Sequence, residues 1–527
     1  MLRPTFLGFE TAKSGLTAAQ KGIDIAGQNL TNWDSAGYTR QRITQVAVAT
    51  DSYRSRYAST SGRIGVAGMG VDITGIAQLR DSFLDRRYRE ENTDVGYYTQ
   101  SDNILSDIQS SLDEFNPTSD SGLRACLLNI NSALKNFSTN AYSSTHANIV
   151  ATEFKSLTQT LQQLSSKLQS ARGQQVYDLD ISTQEVNKKL QQIAGINQSI
   201  LEDASNVQDN TYFGPNELLD QRNLLLDELS KYSDFEYQDN ADGTVTVTVN
   251  GQTAVSGGKY DKMELQKDET TDVVSLKWIS SNGDVKTASG SLKASLDYIN
   301  GRGPNLQNTG ESAERGFLYY QDKLNAFAQT IANVANNVIP EADADGNPKV
   351  DGNGKTIYRQ LLGALSDKAG PDGEYHVVND IPITADNLSI SDAWAADSDY
   401  IIYQKNADGD ANNVGNYALA FANAITSDSQ GFDANGDVFK GTFLDYVKNY
   451  SSTLGEDVSF AESRKTASSS IIGDLEDSRD EVSGVVVDEE VTNMMLYQKS
   501  LAAASRLMTV LDEALDVLIN KTGIVGR

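Results

Sequence analysis

Apolar residues recur in steps of three and four at both ends of the chain. Near the start they are Phe9, Ala12, Leu16, Ala19, Ile23, Ala26 and Leu30. Near the end they are Val487, Val491, Met494, Leu501 and Met508 and, after one slip, Leu511, Leu515 and Leu518. This spacing places one apolar seam along each helix, the pattern of a coiled coil. Because a helix with an exposed seam is only marginally stable in water, each seam needs a partner.

The partner of each seam is either the other end of the chain or a neighbouring subunit. We therefore predict coiled-coil assembly helices over residues 1–45 and 485–527. The alternative is that both segments are ordinary amphipathic helices packed into a globular core. Their positions at the two extremes of the chain favour a rod in which the chain goes out and comes back.

The interior of the chain alternates between helical and extended patterns. Helical spacing predicts a rod domain in three parts, residues 46–234, 292–340 and 441–484. Between the first two parts, Thr244 to Val249 alternates polar and apolar residues and Asn250-Gly251 supplies a hairpin turn. We predict a β-rich insertion over 235–291, forming an independent lobe in which Val245, Val247 and Val249 face one side.

Residues 341–440 are rich in Asp, Asn and Gly and are predicted to form a mixed insertion. Three of its segments look like calcium-binding loops: Asp343–Asn347, Asn406–Asp410 and Asp433–Asp437. A calcium loop of the EF-hand type needs glycine at position six and glutamate at position twelve. Counted from Asp343, these positions hold Pro348 and Gly354, so β-turns are the better interpretation. The predicted fold class is mainly α with β insertions: terminal coiled-coil helices and a helical-bundle rod carrying a small β-rich lobe and a mixed α/β insertion.

Composition and charge exclude several kinds of partner. With 72 acidic and 44 basic residues the formal net charge is -28, which opposes binding to nucleic acid and to anionic membranes. No stretch approaches the roughly 20 apolar residues of a membrane-spanning helix. The first eight residues lack the features of a cleaved signal peptide. The single cysteine, Cys126, lies on an apolar helix face and is predicted to be a buried small side chain.

Catalytic and metal-binding machinery is not recognisable in the sequence. The two histidines, His146 and His376, lie in unrelated segments without a second ligand at helical spacing. Gly257-Gly258-Lys259 resembles the end of a phosphate loop, but Thr253 stands where that loop needs its first glycine. We predict no enzyme activity, no cofactor and no metal.

The segment after the first helix carries a recognisable motif. It reads Asn29-Leu30-Thr31-Asn32-Trp33-Asp34-Ser35-Ala36-Gly37-Tyr38-Thr39-Arg40-Gln41-Arg42. It resembles the N-terminal segment shared by flagellar rod, hook and hook-associated proteins. The stretch 482–506 resembles the matching C-terminal segment of that family, and the run from Gly70 to Ile76 also resembles the family's sequence. Trp33 and Asp34 depart from the family pattern. The motif residues are Asn29, Asn32, Gly37, Tyr38 and Arg40. The order Tyr38-Thr39-Arg40-Gln41 and the chain length favour the hook-associated members at the hook–filament junction.

This resemblance implies a structural subunit of the bacterial flagellum that is extracellular and leaves the cell through the type III export channel. The implied partners are the hook protein, the next hook-associated protein, further copies of itself in a helical tube, and an export chaperone at the C-terminal region. The residues expected to carry the assembly interface are Leu16, Ile23, Leu30, Val491, Met494, Leu501, Leu511, Leu515 and Leu518. Two alternatives remain: another axial protein such as a hook protein, or a secreted adhesin or surface enzyme with its activity in an insertion.

Overall fold

The computed structural model describes residues 5–48, 70–112, 122–206, 215–305, 312–343, 345, 347–369, 375–378, 380–403 and 412–521. The chain forms two compact units. The first unit comprises residues 1–93, 186–261 and 468–527, and the second comprises 94–185 and 262–467.

Helices account for most of the described chain, which confirms the predicted mainly-α fold class with β insertions. They are α1 (Thr5–Thr31), α2 (Ser82–Ser111), α3 (Leu123–Thr139), α4 (Ser144–Asn206), α5 (Asn216–Ser230), α6 (Ser291–Ile299), α7 (Phe317–Ala335), α8 (Asp392–Ala396), α9 (Asn412–Thr426), α10 (Phe443–Ser483) and α11 (Val487–Asp516). A π-helical turn, Val517–Lys521, continues α11. Within the described residues, no helix is both long enough and apolar enough to cross a lipid bilayer.

The strands in the described ranges form small antiparallel sheets. Strand β1 (Gln41–Ala47) pairs with β2 (Val71–Gln78), and β3 (Glu236–Asp239), β4 (Val245–Val249), β5 (Gln252–Ser256) and β6 (Lys259–Tyr260) form a meander. Strand β7 (Met263–Lys267) pairs with β8 (Val274–Trp278). In the mixed insertion, β9 (Leu362–Ala369) lies between β10 (Tyr375–Val378) and β11 (Leu388–Ile390), and β12 (Gln430–Ala434) pairs with β13 (Asp437–Gly441).

The hairpin between β4 and β5 follows the sequence prediction. Val245, Val247 and Val249 are all buried, while the threonines between them are half-buried, so the three valines share one face. Asn250 and Gly251 connect the strands with φ angles of 45° and 81°. Positive φ at both central residues is what a two-residue hairpin turn of this kind requires, and Asn-Gly tolerates it best.

The predicted single β lobe is divided between the two units, so the expectation of one independent lobe is wrong. In the first unit, Asn197 of α4 binds both backbone groups of Val245, at 3.0 Å to its N–H and 2.8 Å to its carbonyl. In the second unit, Asn300 binds both backbone groups of Val274 in β8, at 2.9 and 2.7 Å. The alternating pattern in the sequence predicts the strands, but it does not predict which helical segment each sheet packs against. The finer division of the chain into seven segments stays a prediction.

The core of the second unit is rich in aromatic side chains. Phe432 stacks on Tyr446 with ring centroids 4.1 Å apart, and Phe154 stacks on Phe421 at 5.3 Å. Cys126 is buried, as predicted, with its Sγ 3.7 Å from Oγ1 of Thr160.

The acidic segments of the mixed insertion form turns, as predicted. The Asp343 carboxylate accepts hydrogen bonds from the N–H groups of Asp345 and Asn347, at 2.9 and 2.8 Å. Between β12 and β13, Asn435 and Gly436 adopt φ angles of 51° and 91°. The third such segment, 406–410, lies outside the described residues.

Candidate functional site: the paired chain ends

The two ends of the chain pair with each other. In α1 and α11, residues seven positions apart meet in opposite order: Gly8 with Leu511, Gly15 with Ala504, Gly22 with Tyr497 and Asn29 with Glu490. The rising numbers on one helix and falling numbers on the other make the pair antiparallel. Of the two partners that the sequence left open, the structure places the other end of the same chain against each seam.

Glycine is what lets the two helices approach each other. A Cβ atom added at Gly8 would lie 3.0 Å from Cδ2 of Leu511, and one added at Gly22 would lie 2.5 Å from Cδ1 of Tyr497. A real Cβ does not come within 3.0 Å of a neighbour, so the Tyr497 ring occupies space that only glycine leaves open. At Gly15 an added Cβ would be 3.9 Å from Cβ of Ala504, an ordinary contact. Glycine weakens a helix by roughly 0.5–1 kcal/mol per residue relative to alanine. The glycines therefore do not stabilise α1 by themselves, and their favourable effect comes from the close contact with α11 that they permit.

The fourth rung of the pair, Asn29 with Glu490, is polar and buried. Asn29 is 1% exposed and Glu490 is 3% exposed, and Nδ2 of Asn29 donates to Oε2 of Glu490 at 3.1 Å. The same amide binds both backbone groups of Gln41, at 2.9 Å to its carbonyl and 3.0 Å to its N–H. Asn29 therefore fixes the start of β1 against the end of α1.

Arg40 completes a clasp, which we define as Asn29, Tyr38, Arg40 and Glu490. The Arg40 guanidinium lies 2.7–2.8 Å from Oε1 of Glu490 and 2.9 Å from Oε2 of Glu489. Its backbone N–H donates to the carbonyl of Ser483, the last residue of α10, at 2.9 Å. A buried carboxylate is stable when it is paired and hydrogen-bonded, so Arg40 and Asn29 together permit Glu490 to sit at the joint between α10 and α11.

The other motif residues shape the segment that carries Arg40. Nδ2 of Asn32 donates to the carbonyl of Gln28 at 3.0 Å, closing the last turn of α1. Gly37 has a φ of 77° and is exposed. The Tyr38 hydroxyl donates to Oδ1 of Asn29 at 2.8 Å. Burial, with the charges of Asp220, Glu217 and Glu490, raises the pKa of Tyr38 well above its usual value, so this hydroxyl stays a donor.

Next to the clasp, two aspartates and three arginines tie α2, α5 and α10 together in the first unit. Asp85 binds Arg80 at 2.9 Å and Arg479 at 3.1 Å. Asp227 binds Arg89 at 2.6 Å and Arg479 at 2.7 Å. Burial alone would raise the pKa of Asp85, but the hydrogen bond and charge of Arg80, with the charges of Arg479 and Arg89, hold it below its usual value.

The nine predicted assembly residues differ in their burial. Those that are partly buried are Leu16, Ile23, Leu30, Met494, Leu501, Leu511 and Leu515. Val491 and Leu518 are exposed, at 40% and 48%. Of these nine, Leu511 lies against a contact glycine of α1, and the sequence analysis missed both the glycines and Glu490. The seven-residue spacing of Gly8, Gly15 and Gly22 is the signal in the sequence that would have identified the contact glycines.

Two family models match parts of the chain. Residues 108–351 match the helical domain of flagellar hook-associated protein FlgK. Residues 477–521, which include the whole of α11, match the C-terminal region of the flagellar basal body rod proteins FlgEFG.

Proteins that are similar to this chain along nearly its full length are named flagellar hook-associated protein 1. Flagellar hook-associated protein 1 of Bacillus subtilis is 29% identical over 541 residues, covering 99% of this chain and 99% of that protein. Flagellar hook-associated protein 1 of Salmonella typhimurium is 25% identical, covering 97% of this chain and 98% of that protein. Among solved structures, the flagellar hook junction protein FlgK from Burkholderia pseudomallei shares the fold, with a TM-score of 0.55, 14% identity, and coverage of 75% of this chain and 100% of that one.

Proposed function

The chain belongs to the FlgK family of flagellar hook-associated proteins, and we propose that its paired ends, α1 and α11, are the part through which it joins its neighbours in the flagellum. Its function is that of a structural subunit of the bacterial flagellum at the junction between hook and filament. The observation that supports the proposed role of the ends is the antiparallel pairing of α1 with α11, locked by the Asn29–Arg40–Glu490 clasp.

Pairing within one chain turns two marginal helices into one rigid assembly element. Each helix alone would present an apolar face to water, and burying part of that face against the other helix stabilises both. The pair still exposes apolar side chains, including Val491 at 40% and Leu496 at 60%. Exposed apolar surface on a helix pair is typical of a surface that is covered on assembly.

The finer partners follow from this role. We take the hook protein and the next hook-associated protein to lie on the two sides of this subunit, with further copies of the chain beside it in a helical tube. We also take it to be exported without a cleaved signal peptide, with an export chaperone binding the C-terminal region, and to have no catalytic activity.

Charge placed in the contact between the ends tests the proposed role. Leu501 and Leu511 are both partly buried in α11, and Leu511 faces Gly8. Replacing both with aspartate should prevent the pair from forming and block incorporation into the flagellum, because a buried unpaired carboxylate is strongly unfavourable. Motility and electron microscopy of flagella report incorporation, and detection of the variant outside the cell shows that export still occurs. Gln498→Asp, at an exposed polar position of the same helix, is the matched control.

The second unit supplies an internal check on folding. Its aromatic core does not include α1 or α11, so the double aspartate variant should keep the melting transition of that core. Normal motility of the exported variant would contradict the proposed role of the ends. Loss of motility in the Gln498→Asp control would show that a charge anywhere on α11 has the same effect, and would also contradict it.

A further inference from the structure

The chain contains five asparagines that are followed directly by glycine, and this pair of residues has a reactivity of its own. The backbone nitrogen of the glycine can attack the side-chain amide carbon of the asparagine, because glycine has no Cβ to hinder the approach. Whether a given pair reacts depends on the exposure of its amide and on the hydrogen bonding of the attacking N–H. All five pairs lie within the described residues: Asn250-Gly251, Asn282-Gly283, Asn300-Gly301, Asn353-Gly354 and Asn435-Gly436.

The pair between β4 and β5 has both reacting groups free. Asn250 and Gly251 are exposed at the tip of the hairpin. Neither the Asn250 side chain nor the N–H of Gly251 makes a hydrogen bond to another part of the chain that the structure describes. No atom lies within 4 Å of a Cβ added at Gly251, so there is room beside the glycine for the side-chain amide to swing towards its nitrogen.

The other three exposed pairs have their attacking N–H groups engaged. The N–H of Gly436 donates to Oδ1 of Asp433 at 2.8 Å, and that of Gly354 donates to the carbonyl of Asp351 at 3.0 Å. The N–H of Gly283 donates to a serine hydroxyl at 3.3 Å, a longer and weaker bond. An N–H that donates to a carboxylate gives up its proton with difficulty, because the negative nitrogen that remains would face a negative oxygen. Gly436 is therefore the most strongly protected of the three.

The fifth pair is protected by burial. Asn300 is 5% exposed, and its side-chain amide is committed to both backbone groups of Val274. Attack on this amide would require the loss of both hydrogen bonds inside the second unit. The five pairs thus share one local sequence but differ in the two structural properties that control the reaction.

We propose that Asn250 is a site of spontaneous deamidation in the folded chain, with Gly251 supplying the nucleophile and water the second reactant. After losing its proton to a base in solvent, the Gly251 nitrogen forms a bond to Cγ of Asn250. The bond from Cγ to the side-chain nitrogen breaks, and that nitrogen leaves as ammonia and takes up a proton. Water then opens the resulting cyclic imide at one of its two carbonyl carbons, which gives either aspartate or isoaspartate in place of the asparagine.

The products change the hairpin in two ways. Both carry a negative charge that the amide lacks. In isoaspartate the main chain also runs through Cγ, which adds one carbon atom to a turn whose two-residue length and positive φ angles set the pairing of β4 with β5. Because the reaction needs no enzyme, its extent at Asn250 increases with the time since the chain folded, so each molecule carries a record of its age.

Peptide mapping by mass spectrometry measures all five pairs in one sample of the full chain. After incubation in mildly alkaline buffer, Asn250 should be converted faster than Asn435 by roughly tenfold or more, since a hydrogen bond to a charged group must first be broken at Gly436. Asn300 should remain intact. The same incubation in denaturant is the matched control, because it removes burial and hydrogen bonding but keeps the sequence, and it should bring the five rates together.

A pair of variants tests the protective hydrogen bond directly. Asp433→Ala removes the acceptor of the Gly436 N–H and should speed conversion of Asn435 while leaving Asn250 unchanged. Asp428→Ala, at an exposed position of the same insertion, should change neither rate.

Several results would overturn the proposal. Equal rates at Asn250 and Asn435 in the folded chain would show that the free N–H of Gly251 gives no advantage. An intact Asn250 in the folded chain, with conversion in denaturant, would show that the hairpin itself protects the amide. An Asp433→Ala variant in which Asn435 reacts no faster would show that hydrogen bonding of the attacking N–H does not control the reaction.

Discussion

Replacing Gly22 with alanine should weaken the pairing of the two chain ends, although alanine is the better helix former. Two effects oppose each other at this position. Alanine favours the helix by roughly 1 kcal/mol relative to glycine. Its Cβ would lie 2.5 Å from Cδ1 of Tyr497 and 2.6 Å from two further ring atoms, so the ring must move. Overpacking of this kind typically costs about 1–3 kcal/mol.

A second glycine in the same helix separates the two effects. Nothing lies within 4 Å of a Cβ added at Gly27, so Gly27→Ala should show the helix-forming gain alone. The difference between Gly22→Ala and Gly27→Ala then isolates the contact with Tyr497, at about 1–3 kcal/mol, or roughly 5- to 150-fold in the opening equilibrium of the pair.

Amide hydrogen exchange of α1 and α11 in the full chain measures that equilibrium. Gly27→Ala should slow exchange in both helices, and Gly22→Ala should speed it in both. Combining Gly22→Ala with Tyr497→Ala should recover part of the loss, and the double-mutant cycle gives the coupling between the two residues. Equal protection in the two glycine variants would refute the reasoning, since it would mean that the Tyr497 ring does not occupy the space above Gly22.

Three further changes test the clasp, the ion-pair network and the attachment of the β-sheet. Arg40→Gln should destabilise the joint of α10 and α11 by about 3 kcal/mol, because it leaves the buried Glu490 carboxylate without its ion-pair partner. Glu490→Gln should cost less, because the Arg40 guanidinium that it leaves behind still reaches water. Amide hydrogen exchange at the joint measures both effects. Asp85 has a folded pKa below its unfolded value of 3.8, so its stabilisation is present above about pH 4 and is lost as the pH falls through the folded pKa; Asp85→Asn should flatten that acid limb in denaturant titrations between pH 7 and 3. Asn197→Ala should cost about 1–3 kcal/mol, because it leaves two backbone groups of a buried strand without their partner, whereas Gln191→Ala on the exposed side of the same helix should change little; chemical denaturation compares the two.

The terminal helices were predictable because their apolar period is a local property of the sequence. The face by which they meet was not predictable, because a pattern of apolar side chains includes Leu16 and Ile23 but does not include glycine. The structure gives the contact to Gly15 and Gly22, one position earlier, because small residues let two backbones come close. The role of the larger residues as assembly contacts stays a prediction.

The clasp illustrates what a motif contains and what it omits. The resemblance named Asn29, Tyr38 and Arg40, which are within 12 residues of one another. Glu490, which binds both Asn29 and Arg40, lies 461 residues after Asn29. A carboxylate in an acidic first turn of a helix looks like one favourable charge among several near the positive end of the helix dipole. Only its burial distinguishes Glu490 from Asp488 and Glu489. In the β region, alternation and Asn-Gly turns identified the strands, but the amide side chains that attach each sheet to a helix have no sequence pattern.

Because Gly8 lies against Leu511, the chain between these two residues forms a loop whose ends are held together. This affects how evolution or engineering can change the residues within the loop. Once the ends are fixed side by side, the entropy of closing the intervening loop grows only with the logarithm of its length, about 0.6 kcal/mol for each doubling. Whole domains can therefore be gained, lost or exchanged between the ends at little cost to their pairing. For the same reason the chain is suited to circular permutation, with a short linker joining α11 to α1 and new termini opened at the Asn435-Gly436 turn.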